Sequence, residues 1–361
     1  MPDFSLQGGW ETDKLPRMKC AALRVCASLL MAGASSLYAG TAPAAAPQEG
    51  SVISLHVEND MFVGDDDNYT SGVRIGWMSG TTAESRTFSG MLGTVLGGTN
   101  ASDSWRRFMG MNGSSNLRQQ WGLDLTQLMF TPERKLREPI YGEHPYVGNL
   151  TLGLISLVKN EDRANVLELQ LGTTGSPSLA KGSQHLVHKM WGMEQWPGWN
   201  NQLPSEMTAN LFFKRYYRLR GLERHYGSGL ETDALAYWHA DAGTVKVQAG
   251  GGMTFRFGYN LGNTSPENSI RGATSAAPPF VYNRTSVSNW GYYGYLHASA
   301  RAVAHDLYLD GTVFHSSPDY VNKYPVVAEW GYGFGVTYKR TEFLFGLHYI
   351  CLLYTSDAAD D

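Results

Sequence analysis

Strict alternation of apolar and polar residues recurs along most of this chain. In the segment 325–338, apolar side chains from Val326 to Tyr338 occupy every second position. Three glycines, a valine, a glutamate and a threonine occupy the positions between them. The segments 253–259 and 165–171 repeat the pattern with Met, Phe, Tyr or Leu on alternate positions. A period of two predicts β-strands, each with one apolar face.

Twelve segments are predicted as strands. They are 51–60, 69–79, 119–130, 146–158, 164–173, 206–219, 228–240, 244–257, 288–304, 306–313, 325–338 and 341–351. An even number of strands of about ten residues, each apolar on one face and polar or glycine-rich on the other, is typical of an outer-membrane β-barrel with a polar lumen. A soluble sandwich also alternates, but its outer faces carry more charge. The sequence therefore predicts an all-β protein, an antiparallel up-and-down barrel.

Aromatic residues near the strand ends support a membrane barrel. They are Tyr69, Trp77, Trp121, Trp290, Trp330 and Tyr338. Rings at these positions predict the interfacial girdles that flank the apolar band of such barrels.

The N-terminal region predicts export. After Met18 come basic residues, a short apolar run and small residues, which together form a secretory signal peptide over 18–44. We expect translation to start at Met18, so that residues 1–17 lie upstream of the true start. Residues 45–350 are expected to form one barrel domain. The acidic, polar tail 351–361 lacks the terminal aromatic residue of a closing strand, and we expect it to be artefactual.

Composition excludes several other classes of protein. The three cysteines, Cys20, Cys26 and Cys351, fall in the signal or the tail, so the domain has neither a disulfide framework nor a thiolate metal site. A net charge of −4 argues against a broad nucleic-acid footprint. After the signal, no apolar run approaches the length of a transmembrane helix.

An up-and-down order of strands places alternate connections at the same mouth of the barrel. The connections between predicted strands 1–2, 3–4 and 5–6 run over 59–70, 131–146 and 174–205 and hold the least usual residues. With the N-terminus in the periplasm, this mouth is extracellular. The long segments 80–118 and 259–287 fall at the opposite mouth, where turns are normally short, and are expected to be plugs or small helices.

The segment 181–193 predicts a short amphipathic helix across this mouth. Leu186, Val187, Met190 and Trp191 recur at helical spacing, and Gly192 stops the helix. Gln184 and His188 lie four residues apart and therefore share a face. A lone histidine on such a helix is more often structural than catalytic. The first connection has the same two interpretations, because its aspartates suit either a surface turn or a site.

Short motifs along the chain resemble those of one family. They are Glu58-Asn59-Asp60, Asp66-x-x-Tyr69-Thr70-x-Gly72, Gln127-Leu128-Met129-Phe130-Thr131-Pro132, Pro145-Tyr146-x-Gly148, Gln184-x-x-x-His188 with Glu194, Gly198-Trp199-x-x-Gln202 and Leu309-Asp310-Gly311. In this order they resemble the LpxR-type lipid A 3′-O-deacylases. The resemblance implies a twelve-stranded outer-membrane barrel that hydrolyses the 3′-acyloxyacyl ester of lipid A with a divalent cation, usually Ca²⁺. It places six residues in the site: Asn59, Asp60, Thr70, Gln184, His188 and Glu194.

These residue types suit ester hydrolysis. A histidine is well placed to act as a base near neutral pH, and no Gly-x-Ser-x-Gly motif marks a serine nucleophile. The simplest hypothesis is a water activated by His188, whose ring is oriented by Glu194 or by a lumen-facing carboxylate. Oxygens of Asp60, Asn59 and Thr70 would hold a hard cation that polarises the ester carbonyl.

The substrate contacts are less specific. Thr70 and Gln184 are expected on the substrate and oxyanion side. Three cations of the second connection, Arg134, Lys135 and Arg137, either contact phosphates or core sugars or are ordinary solvated loop charges. The expected partners are lipid A and the outer membrane, and the protein is expected to be a monomer. An outer-membrane phospholipase and a non-enzymatic porin- or adhesin-like barrel stay open as alternatives.

Overall fold

Twelve long strands dominate the computed structural model. It describes residues 23–32, 50–59, 70–81, 117–132, 136–138, 143–261, 264, 270, 272, 277–281, 288–315, 321–339, 341–350 and 354–355. The long strands are β1 Leu23–Ala32, β2 Val52–Asn59, β3 Ser71–Met78, β4 Arg118–Phe130, β5 Val147–Lys159, β6 Arg163–Thr174, β7 Met207–Arg218, β8 Leu230–Gly243, β9 Lys246–Tyr259, β10 Trp290–Asp306, β11 Val326–Tyr338 and β12 Thr341–Ile350.

The strands close into a barrel. Each pairs antiparallel with its neighbours in chain order, and β12 pairs back with β1. Two-residue strands also occur: Arg224–His225 pairs with β8, and Asn322–Lys323 pairs with Tyr354–Thr355. Among the described residues of the connections there are two α-helices, α1 Ala180–Trp191 and α2 Leu307–Asp310. The predicted antiparallel up-and-down barrel is confirmed.

Eleven of the predicted strands coincide with β2 to β12, and the prediction of a strand over 306–313 is wrong. There β10 ends at Asp306, whose carboxylate accepts a hydrogen bond from the Tyr308 backbone N–H at 3.1 Å and so caps α2. Gly311 stops this helix with a φ of 82°. The twelfth strand is instead β1, which lies in the predicted signal peptide; the removal of that peptide stays a prediction.

The two faces of the barrel wall differ as the alternation predicts. Outward-pointing side chains such as Leu55, Ile75 and Leu152 are 40%, 54% and 57% exposed. Their inward-pointing neighbours are polar and buried, among them His56 and Arg74. Because an apolar face of this extent would be costly in water, it is the face that lipid covers.

Aromatic side chains mark both edges of this apolar face. Trp290 and Tyr338 pack at one edge with ring centres 4.5 Å apart, and Trp330 and Tyr349 stack at the other at 4.2 Å. Trp330 and Tyr338 are eight residues apart on β11, which is about 21 Å along the axis of a normally tilted barrel. The predicted girdles are present, except for Tyr69, which lies outside the described residues.

The connections divide between two mouths. Those after β2, β4, β6, β8 and β10 lie at one end, here called mouth 1, and those after β3, β5, β7, β9 and β11 lie at mouth 2. The three unusual connections therefore share mouth 1, as predicted. Within the parts of the chain that the structure describes, no helix is long and apolar enough to cross a membrane.

Ion pairs inside the lumen compensate the buried charges. The Arg74 guanidinium donates to Asp124 and Glu168, both at 3.0 Å. Arg256 pairs with Asp233 through two hydrogen bonds. An unpaired charge in this interior would be costly, so these pairs fix which inward positions can face each other.

The connection after β9 folds back into the lumen. Its described residues, 261, 264, 270, 272 and 277–281, are called the lumen segment. Arg256 donates to the Thr264 backbone carbonyl at 3.1 Å, and the Ile270 backbone N–H donates to Glu58 at 2.8 Å. Because Glu58 lies next to the end of β2, the segment reaches from mouth 2 to mouth 1. The other long connection of mouth 2, 82–116, lies outside the described residues.

Two carboxylates hold the chain that follows α2 at mouth 1. Lys323 donates to both oxygens of Asp310 at 2.6 and 2.7 Å. Burial raises the pKa of Asp310, but hydrogen bonds from His305 and Lys323 outweigh this effect and hold it at about 2. Glu206 accepts hydrogen bonds from the Val313 and Phe314 backbone N–H groups, each at 3.0 Å.

Candidate functional site

The connection after β6 packs against the outer face of the barrel wall. Met129 points outward in line with the exposed Leu123 and Leu125, yet it is only 4% exposed. Ala180, Trp196 and Trp199 of this connection cover it. The helix that the sequence predicts across the mouth is therefore α1, and it lies on the outside of the wall.

A row of outward-facing residues runs under and beside this helix. Strand register places Asn59 opposite Ser71, Ser71 opposite Met129, and Met129 opposite Gly148. Three strand spacings separate the ends of this row, about 14 Å. The turn Ser176–Ser178 contacts β6 and β5, and α1 contacts β5 and β4. The chain thus advances across the wall in the direction of β3 and β2.

Gly148 allows α1 to approach the wall closely. A Cβ atom at this position would lie 2.2 Å from the Ser178 hydroxyl and 2.4 Å from the Ala180 Cβ. Both distances are far below van der Waals contact, so only glycine fits without a shift. The helix ends at Trp191 and is capped by Gly192, whose φ is 69°. The Met193 N–H then donates to the His188 carbonyl at 2.8 Å.

The two faces of α1 differ sharply. Ala180, Gln184 and His188 are 1%, 2% and 3% exposed, because they face the wall. On the other side of the helix Leu186 and Met190 are 61% and 72% exposed. The predicted helix and the shared face of Gln184 and His188 are confirmed.

The His188 ring is fixed by a backbone carbonyl. Its Nδ1 lies 2.6 Å from the Glu194 carbonyl oxygen. A carbonyl only accepts, so Nδ1 carries a hydrogen, and in the neutral form of the ring the lone pair is then on Nε2. The expectation that the Glu194 side chain orients the ring is corrected here, because that side chain is exposed and the backbone of the same residue makes the contact.

Gln184 is held in one orientation by Trp199. The Trp199 indole N–H donates to the Gln184 side-chain oxygen at 2.5 Å. Because indole is only a donor, the amide nitrogen must point the other way. Within the described part of the chain, that buried nitrogen has no hydrogen-bond partner.

The first hairpin contributes oxygens at the edge of the row. Asn59 ends β2 and shares the outward parity of Leu55. Thr70 is buried; its hydroxyl lies 2.6 Å from that of Thr131, and its N–H donates to the Met129 carbonyl at 3.1 Å. Asp60 lies outside the described residues.

Three predicted cations and two residues without a predicted role remain to be located in the structure. Arg134 and Lys135 lie outside the described residues, and Arg137 is exposed, with its carbonyl accepting a hydrogen bond from Asn201. The sequence motifs contained Thr131 and Trp199, but no pattern assigned them the contacts to Thr70 and Gln184 that they make.

Aromatic rings support the helix from below. Tyr146 lies 5.3 Å from Trp199 and 6.2 Å from Trp196 between ring centres. Burial raises the pKa of the Tyr146 phenol, and Glu143 adds to this rise, while the Gly198 backbone opposes it. The phenol therefore stays protonated at neutral pH.

The oxygen donors suit a hard cation. Asn59 and Thr70 offer an amide oxygen and a hydroxyl, both ligand types that Ca²⁺ accepts. Among the residues that the structure describes, no group of three or more His, Cys, Asp or Glu could hold a metal ion. Asp60, the carboxylate expected at this site, lies outside the described residues.

Comparisons with known proteins agree with this architecture. The model of the family described as outer membrane protein LpxR matches residues 24–359. The structure of LpxR from Salmonella typhimurium superposes with a TM-score of 0.55 at 13% identity, covering 92% of this chain and 100% of that one. The beta domain of the Bordetella autotransporter BrkA covers 92% and 97% at 8% identity, but its TM-score of 0.30 supports no argument. A search of curated proteins finds no match.

Proposed function

Since the chain belongs to the LpxR family of outer-membrane proteins, whose members deacylate lipid A, we propose that it hydrolyses the 3′-acyloxyacyl ester of lipid A. The reaction would take place where the buried face of α1 meets the outer face of β4 and β5, beside the row that continues to β3 and β2. The observation that supports this location most directly is the buried pair of Gln184 and His188, which face a wall otherwise made for lipid. A purely structural helix would place apolar side chains there.

His188 is the general base of this proposal. Its Nδ1–H stays bound to the Glu194 carbonyl, so that Nε2 takes a proton from a water molecule. The water oxygen attacks the ester carbonyl carbon, and the C–O bond to the sugar then breaks. The imidazolium returns its proton to the departing 3′ oxygen, leaving a free fatty acid and a sugar hydroxyl.

Gln184 is the proposed oxyanion donor. Its amide nitrogen is buried and points away from Trp199, because the amide oxygen accepts from the indole N–H. This nitrogen has no hydrogen-bond partner among the described residues. A preorganised neutral donor of this kind contributes about 3 kcal/mol to transition-state stabilisation in comparable sites.

A divalent cation, Ca²⁺, completes the proposed site. Asp60, Asn59 and Thr70 would hold it, because carboxylate, amide and hydroxyl oxygens match its preference. When bound, the cation polarises the ester carbonyl and offsets the charge of the oxyanion. The Thr70 hydroxyl can donate to Thr131 and still offer a lone pair.

The substrate would enter from the side, out of the membrane. The exposed face of α1, with Leu186, Met190 and Trp191, is continuous with the lipid and would contact acyl chains, as interfacial helices do. Arg134, Lys135 and Arg137 are proposed to contact the phosphates. The lumen segment argues against a porin, since it occupies the interior from mouth 2 to mouth 1.

Mass spectrometry of lipid A tests the proposal. The chain is expressed in a lipid-A-bearing host, alongside a His188→Gln variant that keeps the size and polarity of the buried face. The native chain should remove a mass equal to one acyloxyacyl group, and the variant should lose activity by roughly 10²- to 10⁴-fold. Ca²⁺ chelation should have a comparable effect.

Histidine 185 of the same helix offers a matched control. His185 is half-buried and lies off the Gln184–His188 face, so His185→Gln should keep most of the activity. Full deacylation by the folded His188→Gln variant would refute the assignment of the base. Unchanged lipid A with fatty acids released from phospholipids would instead identify a phospholipase, and unchanged lipids of both kinds would refute an enzyme.

A further inference from the structure

A second polar patch interrupts the apolar outer face, at mouth 2 and away from α1. Strand register places Arg163 of β6 opposite Tyr217 of β7, and Asn165 opposite Arg215. Arg215 is in turn opposite Trp238 of β8. All five side chains share the outward parity of the exposed Leu169 and Leu171. They are called the arginine patch.

The arginine patch holds one guanidinium in a defined place. Arg215 Nε donates to the Asn165 side-chain oxygen at 2.7 Å. Its guanidinium carbon lies 5.7 Å from the ring centres of both Phe213 and Trp238. These cation–π contacts order a long side chain that would otherwise be mobile on the surface.

The second guanidinium is accessible and makes no ion pair with any residue that the structure describes. Arg163 is exposed. The acidic residues nearest to it in sequence, Glu161 and Asp162, are both engaged by Arg220, at 3.4 and 2.5 Å. An exposed arginine that has no ion pair among the described residues suits an anion from outside.

The patch lies at the level of lipid headgroups. Going along the strands towards the middle of the barrel, the next outward residues are Leu167 and Phe213, which begin the apolar band. At the same mouth Trp77 and Trp121 form part of the aromatic girdle, with ring centres 4.9 Å apart. An arginine at this depth costs little in the membrane, and it faces phosphate groups instead of acyl chains.

We infer that the arginine patch binds the phosphate of an anionic glycerophospholipid, of the phosphatidylglycerol class, in the leaflet at mouth 2. The two guanidinium groups would take the phosphate oxygens, Tyr217 and Trp238 would flank the glycerol region, and Phe213 would contact the acyl chains. Arginine is well suited to this, because its planar donors match phosphate oxygens in pairs. The inference goes beyond the proposed function and does not depend on it.

Native mass spectrometry of the full chain in detergent micelles tests this site. The protein is titrated with phosphatidylglycerol and, separately, with phosphatidylcholine of the same acyl chains. The native chain should bind phosphatidylglycerol more tightly, and the double variant R163Q/R215Q should weaken that binding by about tenfold or more, the loss expected for charge-assisted hydrogen bonds. Phosphatidylcholine binding should change little.

Arg220→Gln is the matched control, since it removes an exposed arginine of the same mouth that is already paired. It should leave phosphatidylglycerol binding unchanged. Heat-modifiable migration on a gel verifies that each barrel is folded, and lipid A deacylation by the double variant should equal that of the native chain. Equal binding of the two lipids by the native chain, or unchanged binding by the double variant, would overturn the inference.

Discussion

Replacing Gly148 with alanine should move α1 away from the wall while leaving the barrel closed. The new Cβ would lie 2.4 Å from the Ala180 Cβ and 2.2 Å from the Ser178 hydroxyl. Carbon atoms rest at about 3.5–4.0 Å, so the start of α1 must shift by more than about 1 Å. The Ala180 Cβ is bonded directly to the backbone, so the backbone of α1 has to absorb the movement.

A shift of this size should cost about a hundredfold in kcat/KM, because a misplacement of about 1 Å is enough to disturb a reacting geometry to that extent. This corresponds to about 2.7 kcal/mol of lost transition-state stabilisation. The assay measures release of fatty acid from lipid A in mixed micelles at substrate levels well below saturation, which reports kcat/KM directly. Gel migration before and after heating verifies that the variant is folded.

Gly294→Ala provides the matched substitution. Gly294 also lies in a strand, but a Cβ there meets only the Gly333 carbonyl, at 3.8 Å, which is an ordinary contact. This variant should retain native activity. If Gly148→Ala were equally active, the position of α1 on the wall would be irrelevant to catalysis, and the place where α1 meets the wall could not be the site.

Three further predictions test other parts of the structure. Trp199→Phe keeps an aromatic side chain, although a smaller one, and removes the N–H that orients Gln184. The kcat should fall about tenfold, with KM little changed, as measured by steady-state kinetics. Arg256→Gln removes the ion pair with Asp233 and the hydrogen bond that anchors the lumen segment, which should lower stability by about 3–5 kcal/mol. Conductance in planar bilayers should then rise above that of the native chain. Unchanged conductance would show that other contacts hold the segment. The pKa of Asp310 is lowered from 3.8 to about 2. Its carboxylate therefore contributes about 2 kcal/mol to stability above pH 4, and this contribution is lost as the pH falls towards 2. Asp310→Asn should increase proteolysis after α2 at pH 7 but make no difference near pH 2.

The sequence predicted the wall of the barrel well because alternation is a local property. Period-two patterns located β2 to β12 to within a few residues, since each strand must present one face to lipid and one to the lumen. The error at 306–313 has a local cause too: the cap by Asp306 and the stop at Gly311 interrupt an apolar run that alone resembles a strand.

The site was predictable only in part. Helical spacing placed Gln184 and His188 on one face, but it could not show that this face meets the outside of the wall. That placement depends on Gly148, which is far from α1 in sequence and admits the helix only in three dimensions. The backbone contact from Glu194 to His188 likewise has no signature in residue type, because every residue carries a carbonyl.

The location of α1 on the exterior of the cylinder also bears on what the proposed enzyme can accept. A tunnel would set an upper limit on the acyl chains it admits, whereas a site on the outer wall would let the remainder of a bulky glycolipid stay among its neighbours in the bilayer. The lipid substrate would not have to leave its leaflet, so the free energy of extracting it from the membrane would not add to the activation barrier. Selection among lipids would then fall to the few polar contacts around the scissile bond, and tail length would matter little.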